Sequence, residues 1–530
     1  DLQQLINDYP ECITNGAKLK AILLDTYPEI SKAIVNTLVI MADSDMIKEI
    51  QDSENITELD KSRWQQKLED EGLSNSIIKK CLELFIPCVY NNSETIYDDL
   101  SDFEIEDDTL IKYSGKSSIV TIPKGVKHIG MWSFHGRYEL EKIIFPDGLI
   151  DIGAYAFYGC QELNDVIIPN GVTCIDSYAF LDCKSLNNIS IPDSVVNIGQ
   201  SAFNGTAWYN NQPDGVVYSG KVVYMYKGEM QANASICLKA GTLGISYAAF
   251  SECEDLKNIT IPNSVISIGH FAFSECENIE SIFIPYGVIR IESFAFCGCT
   301  SLKSISIPES VSSIGESSFL ECDDLQYMEY SNAKYLCNRQ SPYFFLISSK
   351  DCDISSCNIH SETRVICDAA FEGCHELKSI SIPMGITNIG NSVFKNCINL
   401  CDISLSENIV GIGDDAFDSC DALIHIKLPR LLLKIGERAF ANCCSLESLE
   451  IHNNLCTIGK AAFVGCDSLK YLKIGIGVKN IGDFAFSECP LLFSLFYDGT
   501  KLEWNKICKG ESWSGNIKEI QCTDGIIEFD

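Results

Sequence analysis

Positive charge is what this chain lacks most. Lys and Arg number 40 against 73 Asp and Glu, which gives a formal net charge of −33 and a pI near 4.5. Binding phosphate requires clustered Lys and Arg, so nucleic acid and anionic membrane are excluded as partners. Long apolar runs are lacking as well. The longest, such as Ala33 to Ala42, is interrupted by Asn36 and falls far short of a bilayer span, which argues against membrane insertion. No basic stretch followed by an apolar one precedes the first helix-like segment, and the sequence starts at Asp1 without a methionine. A cytoplasmic setting follows only if the absence of a signal peptide is genuine, and a cleaved signal or a trimmed chain is the alternative.

The residue patterns of common catalytic and metal sites are also missing. Zinc ligation requires spaced pairs of Cys and His, but Cys-x-x-Cys does not occur and the seven histidines are scattered. Gly215-Val216-Val217-Tyr218-Ser219-Gly220-Lys221 follows a phosphate-loop pattern until Val222 replaces the Ser or Thr that would hold magnesium, and a hairpin turn is the better reading. The run from Asn91 to Asp108 carries eight acidic residues and no basic one, yet lacks the Gly and the ordered spacing of a calcium loop. No catalytic residue, metal ligand or cofactor is therefore assigned.

What the sequence does have is a period. Fourteen phenylalanines fall on a 23-residue grid: Phe134 to Phe203, Phe250 to Phe319 and Phe371 to Phe486. Such a period marks a solenoid. The gaps of 47 and 52 residues between these runs each hide a degenerate coil, near 204–249 and 327–367. About sixteen coils at the ~4.8 Å spacing of paired strands predict a stack of roughly 70 Å.

In a unit such as Ser304-Ile305-Ser306-Ile307-Pro308, the alternation reads as one short parallel strand per coil, ended by the proline. Gly315 is expected to close a turn with positive φ, and Ser318, Phe319 and Cys322 to form a tight helical turn behind it. Twelve phenylalanines are followed three residues later by a cysteine: Cys160, Cys183, Cys253, Cys276, Cys299, Cys322, Cys374, Cys397, Cys420, Cys443, Cys466 and Cys489. Stacked one coil apart, these sulfurs lie near 4.8 Å from one another, too far for the ~2.05 Å of a disulfide. They read as a ladder of small buried thiols that suits a reducing setting.

Residues 1–90 follow the helical period instead, through Leu19, Ile22, Leu23, Ile34, Leu38, Met41, Ile77, Ile78, Cys81, Leu82 and Phe85, with Pro10 and Pro28 as boundaries and Ser74 as an N-cap. The expected organisation is a small all-α domain over 1–90, an acidic linker over 91–108, the solenoid over 109–495 and a cap over 496–530 that covers the last coil. A small hairpin is expected to project from the first degenerate coil at Pro213-Asp214-Gly215 and Ser219-Gly220.

The unit I-P-x-x-V-x-x-I-G-x-x-A-F-x-x-C-x-x-L resembles the leucine-rich repeats of the BspA-like, treponemal-type bacterial family over roughly residues 109 to 500. The resemblance implies an α+β, right-handed leucine-rich-repeat solenoid and a cell-surface protein-binding or adhesion role.

The alternation also names the side chains that the strands show to solvent. They run from Lys142 and Ile144 to Ser494 and Phe496, mostly Ser and Asn, with three Lys against four acidic residues. Small polar groups with scattered aromatic and aliphatic anchors make up an adaptable binding surface. Candidate ligand-binding residues are Ile144, Ile167, Phe283, Tyr327, His425, Tyr471 and Phe496. The reading is a monomeric, non-enzymatic scaffold for a protein or glycan partner. An intracellular scaffold, a structural spacer, and an enzyme seated in the helical domain or the gap hairpins are the alternatives.

Overall fold

The computed structural model describes residues 16–26, 32–43, 58–70, 77–78, 81–82 and 100–529. The chain forms two compact units, Asp1–Asp98 and Asp99–Asp530. In the first, helices span Gly16–Thr26, Lys32–Asp43 and Glu58–Asp70. They bury Leu19, Leu23, Val35, Leu38, Met41, Trp64 and Leu68, together with Ile78, Cys81 and Leu82, while Ile22, Ile34 and Ile77 are half-buried. Pro10, Pro28, Ser74 and Phe85 lie outside the described residues.

The second unit is a solenoid of about 18 turns at about 23 residues per turn. It begins inside the expected acidic linker: Phe103–Glu106 pairs antiparallel with Thr109–Tyr113, and that second strand feeds the first parallel rung. Phe103 and Tyr113 supply the apolar side of this hairpin, so its acidic residues point outward while the backbone covers the open end.

Each regular coil contributes two strands, one more than the alternation alone indicates. A three-residue strand such as Asp165–Ile167 belongs to a long-strand ladder, and a two-residue strand such as Cys174–Ile175 to a second, short-strand ladder. Both are parallel and step by one coil. The second strand is too short to show a period, which is why sequence alternation misses it.

The turn behind the short strand is not helical. Residues two before and two after the grid phenylalanine lie in the left-handed region, as at Tyr155 (φ 55°) and Gly159 (φ 70°), or Phe294 (φ 59°) and Gly298 (φ 74°). Two sharp turns therefore replace the expected helical turn. Gly315 also does a different job from the one expected of it. A Cβ there would sit 2.3 Å from the Ser293 amide nitrogen, so glycine lets the coils approach closely, and no positive φ is involved.

Inside, the phenylalanine rings stack in three runs at spacings such as 4.7 Å for Phe134 on Phe157, 5.4 Å for Phe250 on Phe273 and 5.0 Å for Phe417 on Phe440. The hydrophobic core divides into three clusters that meet at the two interruptions.

At the first interruption Gly215–Ser219 and Val222–Lys227 form the hairpin. It does not simply project. Val222 and Val223 pair in parallel with Gly244 and Ile245, and Val217, Val222, Val223 and Tyr224 are buried, because the inner strand fills the missing rung. The Tyr224 hydroxyl accepts from the Phe203 amide at 3.0 Å and donates to Asn204 Oδ1 at 2.8 Å, bridging the break in the ring stack. At the second interruption three antiparallel strands, Met328–Tyr330, Ala333–Leu336 and Phe345–Ser349, do the same, the last joining Val365–Ile366 in parallel. In both places the chain that resumes also bonds the coil before the insertion: Tyr247 N–H donates to the Ile198 carbonyl and Asp368 N–H to that of Ile314.

The tail continues both ladders for one more coil, through Cys508–Lys509 and Glu519–Cys522, and closes with the antiparallel strand Gly525–Glu528. Trp504 and Trp513 are buried there.

Candidate functional site

The outward side chains of the long-strand ladder form the candidate site, and its first bank is the most strongly shaped part. Ile119–Thr121, Lys142–Ile144, Asp165–Ile167 and Asn188–Ser190 pair in sequence, so Ile119, Lys142, Asp165 and Asn188 make one column and Thr121, Ile144, Ile167 and Ser190 the next. Over them lies a groove of about 1130 Å³, walled by Phe145, Pro169 and Pro192 among others. Three isoleucines stand in it, Ile119 at 51% exposure, Ile144 at 42% and Ile167 at 74%. Asn188 Nδ2 donates to Asp165 Oδ1 at 2.7 Å, which fixes a polar edge beside this aliphatic floor.

Ile119 was not among the candidates. Stepping back one period from Lys142 finds it, since Ile119-Val120-Thr121-Ile122-Pro123 repeats the strand-and-proline pattern.

Farther along, Phe283 is 54% exposed between Ser281 and the strand Ser304–Ser306. Tyr327 turns away from this surface. It is half-buried against the core, its hydroxyl lies 3.4 Å from the Phe319 carbonyl, and burial pushes its phenol well above the usual range. The physical reason is the second interruption: the antiparallel strand Met328–Tyr330 starts just after Tyr327, so the parallel alternation no longer applies. Met328 and Tyr330 are exposed in its place.

At the far end His425 is exposed, its Nδ1 3.4 Å from Ser448 Oγ. Tyr471 and Phe496 are both half-buried and pack on each other at 5.3 Å, beside the Lys473–Asp498 ion pair at 3.1 Å. Lys473 and Asp498 also line a cleft of about 250 Å³ with Arg430, Glu450 and His452. The sheet face thus presents separate patches, and the seven candidates do not converge on one pocket.

The cysteine ladder lies on the inner side. Ten of its twelve thiols, all but Cys253 and Cys374, donate to the carbonyl oxygen of the grid phenylalanine 26 residues earlier, as in Cys183 to Phe157 at 3.0 Å, Cys299 to Phe273 at 3.1 Å and Cys420 to Phe394 at 3.2 Å. Burial pushes thiols of this ladder up, Cys160 and Cys322 to about 12, so these stay protonated and keep their donor hydrogen, whereas the hydrogen bond with Cys466 draws the Cys489 thiol down. The described cysteines of the solenoid form no disulfide. Among the described residues no group of His, Cys, Asp and Glu is arranged to hold a metal ion, and no helix is long and apolar enough to cross a membrane.

The BspA type leucine rich repeat region matches residues 104–212, 224–344, 348–455 and 433–522. The chain belongs to the BspA type leucine rich repeat family. Similar solved structures include a leucine rich cell surface protein from Faecalibacterium prausnitzii A2-165, 26% identical, over 77% of this chain and 95% of that one, with a TM-score of 0.30. Another is the pneumococcal vaccine antigen PcpA, 19% identical, over 78% of this chain and 95% of that one, with a TM-score of 0.31. A leucine-rich repeat protein from Bacteroides ovatus is 23% identical over 73% of this chain and 89% of that one, with a TM-score of 0.23. No curated protein matches the chain. The BspA type repeat accounts for the two ladders and the buried cysteine rung, and the chain is a repeat scaffold of this family.

Proposed function

We propose that this BspA type protein is a non-enzymatic binding scaffold whose long-strand face holds a protein partner, with the first bank of strands as its principal contact. The groove over Ile119, Ile144 and Ile167 carries the reading. Ile144 and Ile167 stand side by side in one column and Ile119 heads the column that continues through Lys142, Asp165 and Asn188, so three exposed aliphatic anchors beside a polar edge give the composition of an interaction core with a polar rim. Phe283 extends the surface toward the middle. A glycan partner is the second reading, favoured by the tilted Tyr471–Phe496 ring pair at the other end. Family membership supports a cell-surface, adhesion-type setting, with an intracellular scaffold as the alternative.

The test is a paired substitution, Ile144→Ser with Ile167→Ser, in the full chain. Partners recovered by the wild-type protein from its source cells are identified, and each affinity is measured with both forms. Two truncated anchors should weaken binding by at least about tenfold, roughly 1.4 kcal/mol, while the thermal unfolding of the scaffold stays unchanged. Equal affinities for both forms would remove the first bank from the proposal. Loss on Tyr471→Ser and Phe496→Ser alone would move the site to the far end.

A further inference from the structure

Cys374 differs from the rungs that follow it. The residue 26 positions earlier is Ser348, inside the second interruption, so no phenylalanine carbonyl awaits its thiol. Its Sγ instead lies 3.4 Å from Ser349 Oγ. A second thiol reaches the same hydroxyl: Cys352 Sγ is 3.7 Å from Ser349 Oγ and 3.9 Å from the Glu372 carbonyl oxygen. The two sulfurs are thus separated by no more than two hydrogen-bond lengths around one oxygen. Cys374 is fully buried whereas Cys352 is exposed. The exposed Cys237, Cys337, Cys401 and Cys508 show no such link to a ladder thiol among the described contacts.

We propose that Cys352 and Cys374 are an oxidisable dithiol, which hydrogen peroxide closes into a disulfide across the second interruption. The exposed Cys352 side chain is the partner that has to move to bring its sulfur onto Cys374. Chemistry starts at Cys352, which solvent reaches. Its thiolate attacks one peroxide oxygen, the O–O bond breaks, and the released hydroxide takes up a proton to leave as water, giving a sulfenic acid. The Cys374 sulfur then attacks the Cys352 sulfur, the S–O bond breaks, and the oxygen leaves as a second water with the Cys374 proton. Two thiols and one peroxide become one disulfide and two waters: each sulfur loses one electron and the two peroxide oxygens gain them. Burial, reinforced by the neighbouring Cys352 thiol, pushes the Cys374 thiol up to about 12, which supports this order of attack. The bond would join the loop after Phe345–Ser349 to the first rung of the last core cluster, at the break between two clusters.

Trypsin separates the partners, because Lys350, Arg364 and Lys378 place Cys352 in peptide 351–364 and Cys374 in peptide 365–378. The reduced full-length protein is treated with hydrogen peroxide, alkylated and digested without reductant. The expected result is a cross-link between these two peptides that disappears in Cys352→Ser and persists in Cys357→Ser and Cys367→Ser. Cys352→Ser alters an exposed residue, so the unfolding midpoint of its reduced form should match wild type, and peroxide should raise the midpoint of wild type but not that of Cys352→Ser. Sulfinic or sulfonic acid at Cys352 without the cross-link would overturn the proposal. So would a cross-link that survives Cys352→Ser, or disulfide-bonded dimers in place of the internal bond.

Discussion

At the scale of single residues, the cysteine of each coil holds two neighbouring coils together. The Phe417 carbonyl accepts from the Cys420 amide of its own coil at 3.2 Å and from the Cys443 thiol of the next at 3.2 Å. Cys420→Ala should therefore cost about 1 to 2 kcal/mol, from the lost hydrogen bond and the small void. Cys420→Ser should cost less, because a hydroxyl can still donate to the Phe394 carbonyl, and urea midpoints of the two variants separate these outcomes. The 23-residue spacing makes a buried stack of sulfurs legible, since identical residues recur at one place in the coil. It cannot reveal the thiol donor, whose acceptor lies 26 residues back and depends on the offset between turns. The same limit applies to the left-handed positions beside each grid phenylalanine, where bulky residues such as Trp132 (φ 62°) and Tyr178 (φ 60°) stand where sequence reasoning would look for glycine.

At the scale of elements, the regular coils read easily and the interruptions do not. Ile144, Ile167 and Phe283 are exposed because alternation holds wherever strands run in parallel register. Tyr327 departs from it because an antiparallel strand starts beside it. Asp368 shows what else the second interruption builds. Its amide reaches back to the Ile314 carbonyl, and its carboxylate accepts from the Asn391 amide at 2.8 Å and from Asn391 Nδ2 at 3.2 Å. Burial pushes this carboxyl up to about 6 from an ordinary 3.8, with Glu292 and Glu316 adding to the effect. The native state then holds the proton more tightly than the unfolded chain. The contribution of Asp368 to stability is fully present below about pH 4, is lost as pH rises to about 6, and is absent above. The loss is bounded by about 3 kcal/mol, from roughly two pH units at about 1.4 kcal/mol each. Asp368→Asn should remove this part of the pH dependence and raise the urea midpoint at neutral pH, whereas an unchanged pH profile would show that Asp368 does not titrate in this window.

At the scale of the whole molecule, charge and repetition set the behaviour. A net charge of −33 repels itself, and surface pairs such as Lys470–Glu447 at 2.8 Å and Lys303–Glu280 at 3.1 Å offset little of that. Thermal unfolding should therefore shift upward by several degrees between about 0.01 M and about 0.15 M salt, as the screening length falls from about 30 to about 8 Å. A downward shift would mean that specific ion pairs outweigh the net repulsion. Repetition made the solenoid legible in the sequence, because one unit seen many times averages out local ambiguity. The small helical unit had no such redundancy, and its Trp64-bearing helix was not foreseen. The thiol-to-carbonyl bonds have one further consequence. Each rung donates toward the N-terminus and accepts from the C-terminal side, so every regular unit is a directed piece with matching ends. Recombination that deletes or copies whole units within a run, between Cys397 and Cys489 for instance, restores the same contacts at the new junction. Lineages of this gene could then lengthen or shorten the scaffold in whole turns, with the two inserted wedges as fixed landmarks.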